Sequence, residues 1–429
     1  MDEIPYAGAA SAARFAFRPE VNLLYDRRNG IEHHLDAVAV DFVRATLSSE
    51  SGAETVARLK GLYAASDEVL TADLESLWTA MLAIKRNGAP KRRGGGPLEW
   101  MSAALDFPLA LEIELTKICN WNCDFCYNVW KIEPNYTPSS DDRHLPLERV
   151  RQILDEAARA NCLRVRFSGG EPSLHPQFRE IIELACSYDF DVELFTNGSR
   201  MSKELVQHFA ALGLRVMLVS LHGREDTHKR MAANRGAYAH AIGAMAAARQ
   251  AGITVIAEML VCEENIGEVS QVLEQLREID VQHLSLMPYV AYGEADKRRT
   301  VDLRRVADLI ASLEAAGRLK SADTIRVPCA PKHCLSEEPQ MPDTAAPDAF
   351  DNHCAAGILW ASVSYDGRVR HCPHSNAYAG SIETGIGILW REKIVPTVRE
   401  AILPRSSACS GCAQFAACRG GCHLNRVIY

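Results

Sequence analysis

The chain has 429 residues, 47% of them hydrophobic, a formal charge of −8 and fourteen cysteines. That length suggests two or three domains with buried cores, while the acidic balance without a basic block speaks against nucleic acid as the main partner. No apolar run approaches a membrane span. The start Met1-Asp2-Glu3 lacks the basic and apolar segments of an export signal, so this many cysteines argue for metal ligation in the cytoplasm rather than for disulfides.

In chain order, residues 14–17, 21–25 and 31–35 read as short strands, with Arg28-Asn29-Gly30 as a hairpin turn. Residues 37–46, 53–63 and 73–85 carry apolar side chains at helical spacing, and Ser66 or Thr71 is placed to cap the last helix. The run Pro90-Lys91-Arg92-Arg93-Gly94-Gly95-Gly96-Pro97 cannot continue a regular element and marks a linker over residues 93–98. Residues 1–92 therefore form one domain.

Beyond the linker, apolar strands alternate with helical stretches, the sign of parallel α/β structure. Six strands are counted, at 109–115, 164–167, 192–195, 216–220, 254–260 and 283–287. Six units instead of eight point to a partial (β/α)6 TIM barrel over residues 99–325, with its chemistry at the carboxyl ends of the strands. Cys119, Cys123 and Cys126 follow the first strand in C-x3-C-x2-C spacing. Three soft thiolates at that spacing suit an iron-sulfur cluster with one iron left open, and structural zinc or buried thiols are the alternatives. The second strand leads into Ser168-Gly169-Gly170-Glu171-Pro172, where glycine lets backbone approach a ligand closely. The third ends at Phe195-Thr196-Asn197-Gly198 and the fourth at Ser220-Leu221-His222-Gly223. Cys162, Cys186 and Cys262 lie in apolar surroundings and read as core thiols.

Residues 326–429 form a cysteine-rich segment. Cys354 is followed by Gly367 and Cys372, and then by Cys409, Cys412, Cys418 and Cys422 in C-x2-C-x5-C-x3-C spacing. Zinc-ribbon chemistry is the rival for the C-x2-C pair.

The C-x3-C-x2-C loop with an aromatic before its last cysteine resembles the signature of the radical S-adenosylmethionine enzymes. That resemblance implies a 4Fe-4S cluster on Cys119, Cys123 and Cys126 whose open iron chelates the cofactor's amino and carboxylate groups. It implies cofactor contacts from Gly169, Gly170, Glu171 and Pro172 in the family's GGEP motif, from Asn197 and Ser220, and from Phe125 near the adenine, with an apolar wall at Met259 and Leu260. Reductive cleavage of the cofactor would then give a 5′-deoxyadenosyl radical that abstracts hydrogen from substrate. A segment that often carries an arginine for the cofactor carboxylate has Ala232 at that position, with Arg230 and Arg235 nearby. The C-terminal array is similar to the SPASM extension, in which Cys354, Cys372 and Cys422 hold one auxiliary 4Fe-4S cluster and Cys409, Cys412 and Cys418 a second. The family's seventh cysteine is missing before Tyr429. The second cluster would borrow Asp, His, Cys329 or Cys334, stay site-differentiated, or be absent.

Residues 1–92, through their strand and helix order and through Asn22-Leu23-Leu24 and His34-Leu35-Asp36, resemble the PqqD-like, winged-helix-type element that captures a precursor's leader. The three parts together resemble maturases of ribosomally made peptides. That implies a precursor peptide with a leader as partner, an electron donor such as flavodoxin or ferredoxin, and side-chain crosslinking foremost among the reactions. Modification of a protein residue, as in sulfatase maturation, or of a haem precursor is the alternative, and an electron carrier is the non-enzymatic one. His222, His371, His374, Tyr289, Tyr292, Glu294 and Asp296 are candidates for the cavity or for proton transfer, and none is assigned as a catalytic acid or base.

Overall fold

The computed structural model describes residues 4–6, 14–26, 31–83, 105–126, 128, 143–289, 300–301, 303–320, 323–328 and 354–401. The linker, the Arg28-Asn29-Gly30 turn, Tyr292, Glu294, Asp296, Cys329, Cys334 and the four cysteines from Cys409 to Cys422 lie outside them. The chain divides into two compact units, Met1–Leu105 and Asp106–Tyr429.

The first unit is a three-stranded antiparallel sheet followed by three helices. Strands β1 (Phe15–Arg18), β2 (Leu23–Asp26) and β3 (Ile31–His34) pair in the order β1-β2-β3. Helix α1 (Ala37–Leu47) starts where Asp36 accepts the Ala39 amide at 2.8 Å, and Ser51 caps α2 (Gly52–Lys60) through the Glu54 amide. Helix α3 spans Asp67–Ala83, two turns earlier than the sequence pattern suggests, because Ser66 and not Thr71 receives the first amide, that of Val69. Trp78 is wholly buried among Leu24, Val43, Leu59 and Leu74. Its indole donates to Thr46 Oγ1 at 3.1 Å, so the one polar atom of that side chain is satisfied inside the core.

The second unit is built on a ten-stranded sheet in the order β10-β9-β8-β7-β6-β5-β4-β11-β12-β13. Strands β4 (Ala110–Thr116), β5 (Arg164–Gly169), β6 (Asp191–Thr196), β7 (Leu214–Ser220), β8 (Thr254–Val261) and β9 (His283–Pro288) are the six expected ones, all parallel to their neighbours. Helices α4 (Leu147–Arg159), α5 (Phe178–Cys186), α6 (Lys203–Leu212), α7 (Glu225–Met231), α8 (Ala237–Gln250), α9 (Val269–Glu278) and α10 (Leu303–Ala315) lie between or after them. The short strand β10 (Thr324–Arg326) extends the sheet beyond β9. On the opposite edge β11 (Trp360–Val363) runs parallel to β4 and turns back as β12 (Arg368–Arg370) and β13 (Gly380–Ser381). The described part of the cysteine-rich segment thus continues the same sheet.

Strands buried on both faces are ordinarily continuous apolar runs. These alternate. Leu111, Ile113 and Leu115 are at most 1% exposed, while Glu112 and Glu114 occupy the intervening positions of β4. The same alternation sets Val165 and Phe167 against Arg164, Arg166 and Ser168 on β5. One face therefore packs on helices and the other is polar. Phe125, in the loop after β4, packs with Cys262 beyond the end of β8 and Tyr289 beyond the end of β9, four and five strands away. In a flat sheet four strands span about 19 Å, from the ~4.8 Å strand spacing. That packing means that the sheet curls around a lumen, as an open barrel does.

Candidate active site

The cysteine loop leaves β4 at Thr116, whose hydroxyl donates to the Arg143 carbonyl at 2.9 Å and accepts the Ile118 amide at 3.0 Å. The Gly-Gly-Glu-Pro loop after β5 lies directly against it, with the Gly170 amide on Thr116 O at 2.6 Å and the Glu171 amide on Ile118 O at 2.7 Å. A Cβ at Gly169 would stand 2.4 Å from Thr116 O, and one at Gly170 2.2 Å from Ile118 O. The sequence pattern suggests that these glycines make room for a ligand. In the structure the backbone they admit is that of the cysteine loop.

Gly170→Ala must therefore separate the two loops. We expect overpacking to destabilise the chain by ~1–3 kcal/mol and to reduce iron incorporation measured on anaerobically purified protein. Gly243, where a Cβ meets nothing within 4 Å, is the control. Its change to Ala in the interior of α8 should leave iron content alone and stabilise by ~0.5–1 kcal/mol. Equal iron loading in both variants would contradict this role for Gly170.

Glu171 is 1% exposed and its carboxylate is occupied by the protein. It accepts from Ser173 N at 3.1 Å, Ser173 Oγ at 2.5 Å, Thr196 Oγ1 at 2.8 Å and Asn197 N at 2.7 Å. Burial raises its pKa and these hydrogen bonds oppose the rise. The side chain thus ties the end of β5 to the end of β6. Asn197 continues the link, its amide nitrogen reaching Asn120 Oδ1 at 3.0 Å and the Cys119 sulfur at 4.0 Å, while Asn120 donates to Ser199 Oγ at 2.9 Å.

Cys119, Cys123 and Cys126 are all half-buried. The Trp121 amide donates to Cys119 Sγ at 3.4 Å, and Cys123 Sγ lies 3.9 Å from the Ala232 carbonyl. Ala232 is the position where an arginine was sought. Here it is buried against Trp121, in the apolar cluster that also packs Cys119 and Cys123. Arg230 faces outward and pairs with Glu264 at 2.8 Å. Phe125 packs with Met231, Cys262 and Tyr289, its ring edge-on to His222 at 4.6 Å. Ser220 ends β7 and is half-buried.

Two groups hold β7 and β8 together at this end: His222, which the sequence offered only as a cavity or proton-transfer candidate, and Asn265, which sequence reasoning missed. His222 accepts the Leu260 amide on Nδ1 at 3.2 Å, and its own amide donates to His228 Nδ1 at 3.0 Å. Asn265, wholly buried, donates to the carbonyls of His222 at 2.8 Å and Leu260 at 2.7 Å. Burial holds His222 well below the usual histidine range and pushes His228 down to about 4, so both imidazoles are neutral with Nδ1 as acceptor. An Asn just beyond a strand end was the only sequence signal, and it is a common one.

Two buried polar atoms of the cysteine loop have no partner among the described residues: the indole nitrogen of Trp121, a side chain packed with Cys119 and Cys123, and Asn128 Oδ1. Asn128 Nδ2 donates to the Gly169 carbonyl at 3.3 Å, which sets that orphaned acceptor beside the glycine loop. An unpaired donor on a ring packed with the thiols and an unpaired acceptor on the side chain that bonds the glycine loop suit a sulfide-bearing cluster and an ammonium-bearing ligand. Among the described residues no three His, Cys, Asp or Glu side chains close on one point as a single ion would require, whereas a cluster takes each thiolate on a different iron.

At the far edge of the sheet, Cys354 is buried and Cys372 half-buried. A Cβ at Gly357 would lie 3.2 Å from the His371 Cβ, so the segments carrying the two cysteines run side by side. Cys162 and Cys262 are core thiols as expected, and burial pushes the half-buried Cys186 up to about 11.

Residues 113–276 match the family model of the radical SAM superfamily. The mycofactocin maturase MftC of Mycolicibacterium smegmatis is 26% identical over 76% of this chain and 80% of its own length. The PqqA peptide cyclase of Rhodopseudomonas palustris is 26% identical over 73% of this chain and 82% of its own. Among solved structures, Streptococcus suis SuiB bound to S-adenosylmethionine superposes with a TM-score of 0.69 at 15% identity, over 98% of this chain and 96% of that one. SuiB bound to its precursor peptide SuiA gives 0.66 at 16% identity, over 96% and 95%. The curled parallel sheet with its three-cysteine loop carries a radical SAM domain over residues 113–276, and the chain is an enzyme.

Proposed function

We propose that the chain modifies side chains of a ribosomally made precursor peptide, with crosslinking the foremost reaction. The observation that carries this reading is a separate N-terminal unit, a three-stranded sheet whose β3 is an edge strand, joined to a radical SAM domain whose relatives include a maturase and a peptide cyclase. Cys119, Cys123 and Cys126 would hold a 4Fe-4S cluster, and S-adenosylmethionine would rest against Gly169, Gly170, Pro172, Asn197, Ser220 and Phe125, with Glu171 bracing that loop. Bound there, cluster and cofactor supply a 5′-deoxyadenosyl radical for hydrogen abstraction. The chain's own residues orient and shield. Amide donors from Trp121 and Asn197 favour Cys119 as thiolate, Asn128 offers its carbonyl beside Gly169, and the packed rings of Phe125, Trp121, His222 and His228 keep water from the loop. Cys354, Cys372 and Cys422 would hold one SPASM-type auxiliary cluster and Cys409, Cys412 and Cys418 a second. Flavodoxin or ferredoxin is the expected electron donor, and the cytoplasm the expected compartment. No helix among the described residues is long and apolar enough to cross a membrane.

Coexpression with the peptide encoded beside the gene tests the reading by mass spectrometry. A crosslink removes a pair of hydrogens from the core. A peptide of unchanged mass, in cells where the enzyme forms 5′-deoxyadenosine, would overturn it.

Residues 1–92, PqqD-like in pattern, would take the leader as a fourth strand on β3. Leu35 N donates to Asn22 O at 2.8 Å, and pairing alternates from there, so the His33 amide points at Leu24 while the amides of Glu32 and His34 point away from β2. We therefore expect Glu32→Pro to weaken leader binding roughly tenfold, the loss of about one main-chain hydrogen bond, without reducing iron content. His33→Pro should instead damage the hairpin itself and lower the melting temperature. Fluorescence titration of a labelled leader distinguishes the two variants, and undiminished affinity in Glu32→Pro would exclude β3 as the docking strand.

A further inference from the structure

The lumen of the curled sheet is lined by charge, and nearly all of it is internally matched. Glu114 pairs with Arg370, and Asp191 with Arg215 at 3.0 Å. Glu193 lies between Arg164 at 3.1 Å and Arg166 at 2.8 Å. Glu112 accepts from Ser168 Oγ at 2.7 Å and stands 3.7 Å from Arg166. Glu258 is the exception. It is 7% exposed, forms no ion pair among the described residues, and is bonded by the Ser285 hydroxyl, its neighbour in register on β9.

Two further observations bear on what this layer can hold. The Arg166 side chain is 35% exposed although β5 lies deep in the sheet, so the lumen is open at that level. Ser362, in register with Glu112 on β11, is fully buried and its Oγ has no partner among the described residues. An apolar guest would leave both Ser362 and the Glu258 carboxylate desolvated without compensation, and an anionic one would face the surplus carboxylate directly.

We propose that the lumen binds a protonated amine or guanidinium side chain, a lysine or arginine of the substrate peptide, with Glu258 and Glu112 as its counter-charges and Ser362 Oγ as a further acceptor. This assignment rests on the reading of the enzyme as a peptide maturase. Burial and the nearby Glu112 push Glu258 up to about 7, with Arg166 opposing only in part. A cation beside it would return the group to carboxylate.

The test uses the full chain, reconstituted anaerobically, with n-butylammonium and its neutral isostere n-butanol as probes in a saturation-transfer NMR titration. Butylammonium should bind the wild type roughly tenfold more tightly than butanol, the worth of a charge-assisted hydrogen bond. Glu258→Gln, which keeps the Ser285 bond, should abolish that preference. Equal affinities in the wild type overturn the site, and so does a preference that persists in Glu258→Gln. Should Glu258→Gln not fold, Ser362→Ala removes a hydroxyl and no charge. Roughly threefold weaker butylammonium with unchanged butanol is then expected, and equal loss of both probes overturns the proposal. A protein that prefers the amine but leaves every precursor peptide unmodified refutes the maturase reading and keeps the site. One that modifies its peptide without any preference for the amine does the reverse.

Discussion

Cys126→Ala, reconstituted anaerobically and given reductant and S-adenosylmethionine, should yield no 5′-deoxyadenosine, whereas the wild type yields it readily. The thiol stands half-buried in a loop whose packing is carried by other side chains: Trp121 against Ala232 and Ala237, and Phe125 against Met231, Cys262 and Tyr289. Truncating the sulfur would therefore remove the proposed cluster ligand without emptying a core position. Circular dichroism and melting of the metal-free variant should match the metal-free wild type within about 1 kcal/mol, as expected of a substitution away from the core. A cluster left with two protein thiolates is lost or degraded, so the charge-transfer absorption near the visible blue should fall together with product. The experiment has a sharp opposite outcome. Full product from the variant lacking Cys119, Cys123 and Cys126 together would mean that the chemistry resides elsewhere in the chain.

The second large effect concerns stability. Arg370 and Glu114 are both wholly buried and paired, and they join β12 to β4 across the edge where the cysteine-rich segment meets the sheet. Arg370 also donates to the Ser375 carbonyl at 2.8 Å and reaches Tyr378 Oη at 3.3 Å. Arg370→Met leaves a buried carboxylate without its counter-charge, which costs ~3–5 kcal/mol. Burial already pushes Glu114 up to about 7, with Arg370 the main influence holding it down. Removing the arginine raises that folded-state pKa further above the unfolded value near ~4.3.

A carboxyl whose folded pKa is raised binds more protons folded than unfolded, so the variant's stability declines as pH rises between the two values. The deficit of Arg370→Met against the wild type should thus be small at pH 6 and large at pH 8.5, read from urea midpoints. Glu114→Gln combined with Arg370→Met should recover most of the loss at the higher pH, since no charge then remains buried. Equal deficits at both pH values would show that the side chain acts by packing alone.

Much of this was legible before any coordinates. Cys119, Cys123, Cys126 and the Gly169 to Pro172 motif announce themselves because ligand spacing and tight turns are local properties of the chain. The six parallel strands were legible too, since hydrophobic runs between turn residues report burial directly, and their observed bounds differ from the expected ones by a few residues at most. The start of α3 was misplaced because Ser66 and Thr71 are equally good capping residues until one of them meets an amide.

What tertiary structure alone decided are the contacts between distant segments. Gly170 serves the backbone of Ile118, Glu171 spans to Asn197, and Ala232 closes over the cysteine loop because three βα loops converge there, an encounter that no local pattern encodes. The charged lumen lay between these cases. Alternation of Glu112, Glu114, Arg166, Glu193 and Glu258 with apolar neighbours is written in the sequence, yet only the curl of the sheet brings β8 back to β4 and leaves Glu258 without an ion pair among the described residues. Periodicity determines which face of a strand is polar; closure of the sheet, set by the packing of helices on its other face, determines what that polar face meets.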